Sequence, residues 1–563
     1  MVFCSNLTYW AENAFKLPKH SVQMITSYQE NAERYRGFLI QRSKITWLLK
    51  GDDNNAYFHA CIKKRREENR IVSYLNEQGE IVDDYGAVVQ HFLNHFRGYM
   101  GGSSSANGFF NAQSMEFGSC LDIEQQLRLT RSFGKADVKK ALLSIPGVKS
   151  PGPDGFGAEF YKTMWLDIGD DISDAVLGFF RDGKIPEALN ETMLALVPKT
   201  DSPIRVVDYR PIACCNTLYK CISKMICSRL SEVLPHLISQ NQGAFVRGRS
   251  LAHNILIIQD LIKNYNRKNS SPRCALKIDL SKAYDTVDWL LQLGAQQQQE
   301  FRYHPLCKGL KIINLCFADD LVIFCKANSG SVQVVKQVFE EFCNSTGLKA
   351  NSSKSQVFFG GVSVAVRNQL LKLVQLEEGI FPLKYLGVPM RPTKWKMADC
   401  DEILKKIKLR LHTWASRHLS YAGRVQLITS VLLGLRNYWM NIFLLPQSIV
   451  KEVDKLCLWF FWGNNGTRSN FHLTSWTTVC LPKRFGGLGF GEGSKWNKAM
   501  LAKYVWAINN QLETLWVKWI NSVYLKGQSF WQYKLKNDTS WYWRKICMLR
   551  DVFSQTVIDA AVR

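Results

Sequence analysis

Apolar and polar positions along this chain form blocks that read as a mixture of helices and strands. The sharpest block is Ile312 to Cys325, I-I-N-L-C-F-A-D-D-L-V-I-F-C. Two apolar runs of strand length flank Asp319 and Asp320, which predicts a buried hairpin with carboxylates at its tip. Upstream, A-L-K-I-D-L from Ala275 to Leu280 predicts another buried strand with Asp279 near its end, and 190–199 predicts a third. The runs I-V-S-Y-L and E-I-V, split by Asn76 to Gly79, predict a short strand pair. Helical spacing appears at 28–50, 136–145 and 216–234. In the last of these, Leu218, Cys221, Ile222, Met225, Leu230 and Val233 form an apolar side and Pro235 is predicted to stop the helix. Further on, Leu404, Ile407, Leu411 and Trp414, then Val425, Ile428, Val431 and Leu432, predict helices facing a core. The Gly/Ser-rich stretch 101–114 reads as a linker, and 146–156 as a loop dense in turn residues.

Composition narrows the function classes. The chain has 563 residues, 46% of them hydrophobic, enough for several cores and more than one domain. Its net charge of +24, from 72 Lys+Arg against 48 Asp+Glu, asks for a polyanionic partner, nucleic acid before a membrane surface. No run of about 18 apolar residues predicts a spanning helix, and the first residues lack a signal-peptide pattern. The 16 cysteines form no C-x-x-C, and most lie inside apolar runs. They read as free buried thiols in an intracellular, reducing compartment, nucleus or cytoplasm.

Adjacent carboxylates are ordinary turn material, and Asp52-Asp53, Asp83-Asp84 and Asp170-Asp171 repeat the pair elsewhere. Only Asp319-Asp320 lies between two apolar runs. There the two charges repel and lose hydration, so the stretch is either a plain turn or a metal site. Asp279 at the end of its own strand resembles the other half of such a site. Carboxylates converging from neighbouring strands suit nucleotidyl transfer with two Mg²⁺ ions. Cations accumulate along the same region: Lys199, Arg210, Lys220, Lys224, and the two arginines around a glycine, Arg247 and Arg249.

Eight segments in order resemble the reverse transcriptases of non-LTR (LINE-type) retrotransposons, plant elements in particular. They are K-S-P-G-P-D-G-F at Lys149 to Phe156, V-P-K at Val197 to Lys199, D-Y-R-P-I at Asp208 to Ile212, and Q-G-A-F-V-R-G-R-S at Gln242 to Ser250. K-I-D-L-S-K-A-Y-D at Lys277 to Asp285, F-A-D-D at Phe317 to Asp320, G-L-K-A-N-S-S-K-S at Gly347 to Ser355 and Y-L-G-V-P at Tyr385 to Pro389 complete the set.

The resemblance implies an α+β fold of right-hand polymerase architecture, with fingers, palm and helical thumb and with helical N- and C-terminal extensions. The implied divisions are an upstream basic segment at 1–100, a linker at 101–134, fingers at 135–270, palm at 271–360, thumb at 361–480 and a Trp-rich region at 481–563. Asp279, Asp319 and Asp320 become the catalytic carboxylates that bind Mg²⁺ or Mn²⁺, and Tyr284 the ring that favours deoxynucleotides. Lys199, Arg210 and Lys354 become nucleotide contacts, and Arg247, Arg249, Lys220 and Lys224 nucleic-acid contacts. The implied partners are an RNA template, a DNA primer and its duplex, and deoxynucleoside triphosphates, with no membrane.

One departure weighs against activity. The family carries a G-x-R-Q-G-D-P-L-S-P type motif between its first catalytic Asp and the F-A-D-D hairpin, forming a wall against template and nucleotide. Here L-L-Q-L-G-A-Q-Q-Q-Q-E follows Trp289, and by Phe301 the chain already resembles the approach to the hairpin. The palm is therefore expected to be incomplete near 290–300. The expectation is a reverse transcriptase-like protein that is inactive or nearly so, or else a non-catalytic nucleic-acid-binding remnant. No stretch resembles the family's endonuclease domain or its Cys/His zinc segment, so self-sufficient transposition is not expected.

Overall fold

The computed structural model describes residues 70–101 except 77, 119–279 except 201, 268 and 269, 298–462 except 347–349 and 416–418, and 474–553, with isolated positions at 27, 63, 66, 67, 69 and 294. The helix predicted at 28–50, the linker at 101–114 beyond Gly101, Tyr284 and the glutamine-rich junction before Gln298 lie outside the described residues. The fold is mixed helix and sheet, and the described residues group into two compact units. One takes those up to 102 with 133–223 and 417–430; the other takes 119–132, 224–416 and 431–553.

In the first unit, β1 (Tyr74–Leu75) and β2 (Ile81–Val82) form the expected antiparallel pair. Helix α1 (Tyr85–Gly101) follows, and its Val88 and Phe92 bury against Val206 and Tyr209. Helices α2 (Lys135–Ser144) and α3 (Trp165–Asp182) present Val138, Leu142 and Val176, all at most 1% exposed, to the unit's interior. Strands β3 (Thr192–Pro198) and β4 (Tyr209–Cys215) pair antiparallel along their full length.

Helix α4 spans Thr217–Leu237, so it runs past the stop predicted at Pro235. The helix survives because the Ile238 N–H still reaches the Leu234 carbonyl at 2.9 Å. In addition, the Arg249 guanidinium donates to the carbonyls of Pro235, Ile238 and Ser239, at the end where helical carbonyls run out of helical partners. Pro235 costs one helical hydrogen bond there, and an arginine twelve residues past the helix end caps what remains.

The second unit is built on a five-stranded sheet in the order β6-β7-β5-β8-β9. Its strands are β5 (Arg273–Asp279), β6 (Asn314–Phe317), β7 (Asp320–Cys325), β8 (Gln356–Gly360) and β9 (Glu377–Glu378). Helix α5 (Leu251–Leu261) precedes the sheet, α6 (Ser329–Thr346) follows β7, and α7 (Val364–Val374) follows β8. Cys274, Leu276 and Ile278 of β5 and Leu321, Ile323 and Cys325 of β7 share one core with Val332, Val335 and Phe342 of α6 and Leu370 of α7. Val322 and Phe324, on the opposite face of β7, are also fully buried, which is why this strand reads as a continuous apolar run. Each such side chain contributes roughly 1.5–3 kcal/mol.

Beyond the sheet, β10 (Leu383–Tyr385) and β11 (Val388–Met390) form a hairpin whose tip, Leu386-Gly387, has positive φ at both residues, the geometry of a type I′ turn. The predicted helix around Ile407 is α8 (Met397–Ala415), with Ile403, Ile407 and Trp414 buried and Lys405, Lys408 and Arg410 exposed. Helices α9 (Gln447–Phe461), α10 (Gly493–Asn509), α11 (Leu515–Ile520) and α12 (Trp541–Cys547) also belong to the unit. Among the described residues no helix is long and apolar enough to cross a membrane, and most of the cysteines are buried free thiols, as their apolar settings predicted.

Candidate active site

Strand β5 alternates core-facing Cys274, Leu276 and Ile278 with Ala275, Lys277 and Asp279, so the last three share the other face of the sheet. Antiparallel pairing with β7 runs from Cys274 opposite Cys325 to Asp279 opposite Asp320. Directly paired residues project from the same face with Cβ atoms about 5 Å apart. The two carboxylates are thus neighbours at the ends of two interior strands of the sheet, and Asp319 precedes Asp320 in the chain, exposed at the tip of the β6–β7 hairpin.

That tip is held from outside. Ala318 has φ 54°, a conformation that costs a non-glycine residue about 1–3 kcal/mol unless its surroundings enforce it. Gln242 enforces it, because its Oε1 accepts from the N–H of Ala318 at 3.2 Å and of Ala244 at 2.9 Å. The neighbouring backbone lies along β6: Cys316 N–H donates to the Asn241 carbonyl at 3.0 Å, and Gly243 N–H to the Cys316 carbonyl at 2.8 Å. Asn254 of α5 donates to the same Cys316 carbonyl at 2.8 Å. A Cβ on Gly243 would meet the Asn254 amide nitrogen at 2.9 Å, so glycine is required there for close approach. The segment expected to touch template therefore also braces the carboxylate hairpin.

The far side of Asp279 is equally fixed. Its N–H donates to Ser355 Oγ at 3.2 Å, its carbonyl accepts from Asn351 N–H at 2.9 Å, and Ser355 Oγ donates to the Asn351 carbonyl at 2.7 Å. Lys354 Nζ lies 3.6 Å from Asp279 Oδ2, so this lysine already neutralises one carboxylate. Burial pushes the Asp320 carboxyl up; Lys277 on the adjacent strand opposes that, and Asp319 and Asp279 reinforce it.

The donors are hard carboxylate oxygens suited to Mg²⁺ or Mn²⁺, and a divalent cation there would oppose the burial and the acidic neighbours that raise the Asp320 carboxyl. In kind, the residues fit a divalent ion. Among the described residues, however, no three His, Cys, Asp or Glu side chains converge closely enough to form a ready metal cluster.

The other predicted residues divide between the two units. In the first, Lys199 closes the β3–β4 hairpin, its N–H donating to the Asp208 carbonyl at 2.7 Å and its Nζ to the Val207 carbonyl at 2.5 Å. Arg210 is exposed opposite Val197. Lys220 donates to the Ser150 carbonyl at 2.6 Å, and Thr217 Oγ1 donates to the Phe156 carbonyl at 2.8 Å. Together they pin the 146–156 loop to the start of α4. In the second unit Lys224 and Arg247 are exposed. Arg249, expected as a template contact, directs its guanidinium to the end of α4 and to the Gln242 carbonyl, the latter at 2.7 Å.

Sequence reasoning missed Lys277, Gln242 and Ser355. Lys277 was within reach, since it stands two residues before Asp279 on the same strand face. Gln242 and Ser355 act through contacts between segments far apart in the chain, which no local pattern announces.

The family model described as "Reverse transcriptase (RNA-dependent DNA polymerase)" matches residues 197–304. That span takes in Lys199, Arg210, Arg247 and Asp279 and stops short of Asp319. This chain is a relative of the LINE-type reverse transcriptases. It is 26% identical over 524 residues to the transposon TX1 uncharacterized 149 kDa protein of Xenopus laevis, covering 80% of this chain and 38% of that protein. It is 36% identical over 160 residues to a putative ribonuclease H protein of Arabidopsis thaliana, covering 28% of this chain and 26% of that protein. It is 23% identical over 297 residues to the Pol polyprotein of the type-2 retrotransposable element R2DM of Drosophila melanogaster, covering 42% of this chain and 27% of that protein. The chain thus spans well under half the length of these relatives.

Proposed function

We propose that this chain is the RNA-directed DNA polymerase portion of a plant-type non-LTR element, internally deleted and impaired in synthesis. The observation that carries the reading is the register that pairs Asp279 with Asp320 at one end of two neighbouring strands. In this reading 135–270 are fingers, 271–360 palm, 361–480 thumb, and 481–563 the Trp-rich C-terminal region. RNA template, DNA primer and deoxynucleoside triphosphates are the partners.

Asp279, Asp319 and Asp320 would hold Mg²⁺ or Mn²⁺, which when bound acidify a primer 3′-hydroxyl and neutralise departing pyrophosphate. The chain's own residues do the rest. Gln242 holds the hairpin that carries Asp319, Ser355 and Asn351 hold the end of β5, and Lys277 offsets the charge on Asp320. Lys354, 3.6 Å from Asp279 Oδ2, would supply a positive charge to the pyrophosphate. Arg210 and Arg247, both exposed, serve the triphosphate and the template backbone.

The impairment follows from the segment between Asp288 and Phe301, which lacks the wall motif. Without a wall the template base and nucleotide lose the near-attack geometry that supplies much of the rate. The purified chain, given a primed RNA template with Mg²⁺ or Mn²⁺, is expected to bind it and extend it poorly. Clear synthesis that disappears in Asp319→Ala would overturn the impairment and leave the polymerase assignment standing. Failure to bind the primed template at all would overturn the assignment.

A further inference from the structure

A basic cleft of about 270 Å³ lies within the second unit, away from the carboxylate hairpin, walled by the end of α5, the loop after β11 and the start of α12. Lys263, Arg267 and Lys394 line it. Asp538 sits against two of them, 3.1 Å from Lys263 Nζ and 3.9 Å from Arg267 Nη1, so one carboxylate is shared by two cations and the surround remains positive.

Two buried polar atoms in the same cleft lack partners. Gln259 is 1% exposed and donates its amide to the Arg391 carbonyl at 2.6 Å, yet nothing among the described residues donates to its Oε1. Trp541 Nε1, on the facing wall, is likewise buried and has no acceptor. Leaving such groups unpaired is unfavourable, because neither regains the hydrogen bond it made to water. An unfilled acceptor and an unfilled donor beside a cluster of cations call for a ligand with both a hydroxyl and a phosphate.

We propose that this cleft is a ribose-phosphate site: Lys263, Arg267 and Lys394 take the phosphate, Trp541 donates to one of its oxygens, and Gln259 Oε1 accepts from a ribose hydroxyl. A deoxyribose offers no 2′-hydroxyl to Gln259, so the site favours RNA over DNA. An RNA strand and a free ribonucleotide both carry this chemistry; the charge of the whole chain, +24, favours the strand. The inference rests on the nucleic-acid reading above only for that choice of source.

The test measures binding of the full chain to a short single-stranded RNA, to DNA of the same sequence, and to AMP. All three are repeated in an Asp319→Ala background, so that failure of synthesis has no bearing on the result. Lys394→Ala and Arg267→Ala, both at exposed positions, are expected to weaken RNA binding ~3-fold and to lower the log–log salt slope by about one. Asp538→Asn, which removes the competing carboxylate, is expected to tighten it. Gln259→Met is expected to narrow the preference for RNA while leaving DNA binding unchanged. If AMP binds and responds to these variants, the site stands and its source is a free ribonucleotide. RNA and AMP binding unchanged in Lys394→Ala, Arg267→Ala and Asp538→Asn overturns the site. Equal losses for RNA and DNA in Gln259→Met overturn the ribose contact.

Discussion

Asp279 and Asp320 face each other across adjacent antiparallel strands, a placement in which like charges are destabilising unless something compensates. Lys354 at 3.6 Å from Asp279 and Lys277 near Asp320 supply part of that compensation. The remainder is available to a divalent cation.

Because burial and its acidic neighbours raise the Asp320 carboxyl in the folded state, the folded chain holds a proton there more tightly than the unfolded chain. The stability this brings is fully present below the unfolded carboxylate value and is lost as pH rises through the raised one. Asp320→Asn should therefore flatten the stability profile on the acid side in denaturant titrations. Mg²⁺ at ten times its dissociation constant should stabilise the parent by about 1.4 kcal/mol and the variant by less.

Gln242 is 7% exposed and satisfies two backbone donors at the hairpin. Gln242→Leu leaves both unpaired, with an expected loss of about 1–3 kcal/mol per donor. Hydrogen exchange of the Ala318 and Ala244 amides should accelerate before that of the sheet's centre. Unchanged protection at Ala318 would rule out the bracing role.

Asp260 is fully buried in α5 and accepts from Trp519 Nε1 at 2.8 Å, Tyr524 OH at 2.7 Å and Tyr542 OH at 2.8 Å. It ties the helix beside the sheet to the C-terminal helices. Asp260→Leu strands Trp519 Nε1 and Tyr542 OH and leaves Tyr524 OH only Ser540 Oγ, at 2.9 Å, and a loss of about 2 kcal/mol or more is expected, together with a change in tryptophan fluorescence from the Trp519 environment. A variant as stable as the parent would contradict this tie.

His253 is pushed down to about 4 by burial and by Lys503, and it stacks on Trp516. The unfolded chain binds a proton there near the ordinary histidine value and the folded chain does not, so stability rises with pH between about 4 and that value. His253→Phe should remove on the order of 2–3 kcal/mol of the acid-side loss. Melting temperatures measured between those limits provide the check.

The sequence by itself determined the local elements and the chemistry at stake. Apolar runs of strand length bounded Asp319 and Asp320, alternation located Asp279 at a strand end, and 3-and-4 spacing found α2, most of α4 and α8. These signals are carried by neighbours in the chain, where periodicity and turn chemistry act. The ordered motifs also disclosed the family, because each is a local string. The tertiary structure decided what those strings touch. Arg249 carries the same charge as Arg247, yet its guanidinium is spent on the carbonyls at the end of α4, and that cap lets the helix pass Pro235. Gln242 and Ser355 read as unremarkable polar residues until the fold brings them to Ala318 and Asp279. Hydrogen bonds between distant segments depend on register and packing across the whole sheet, so the pairing of Asp279 with Asp320 and the braces around it are settled only when the chain closes on itself.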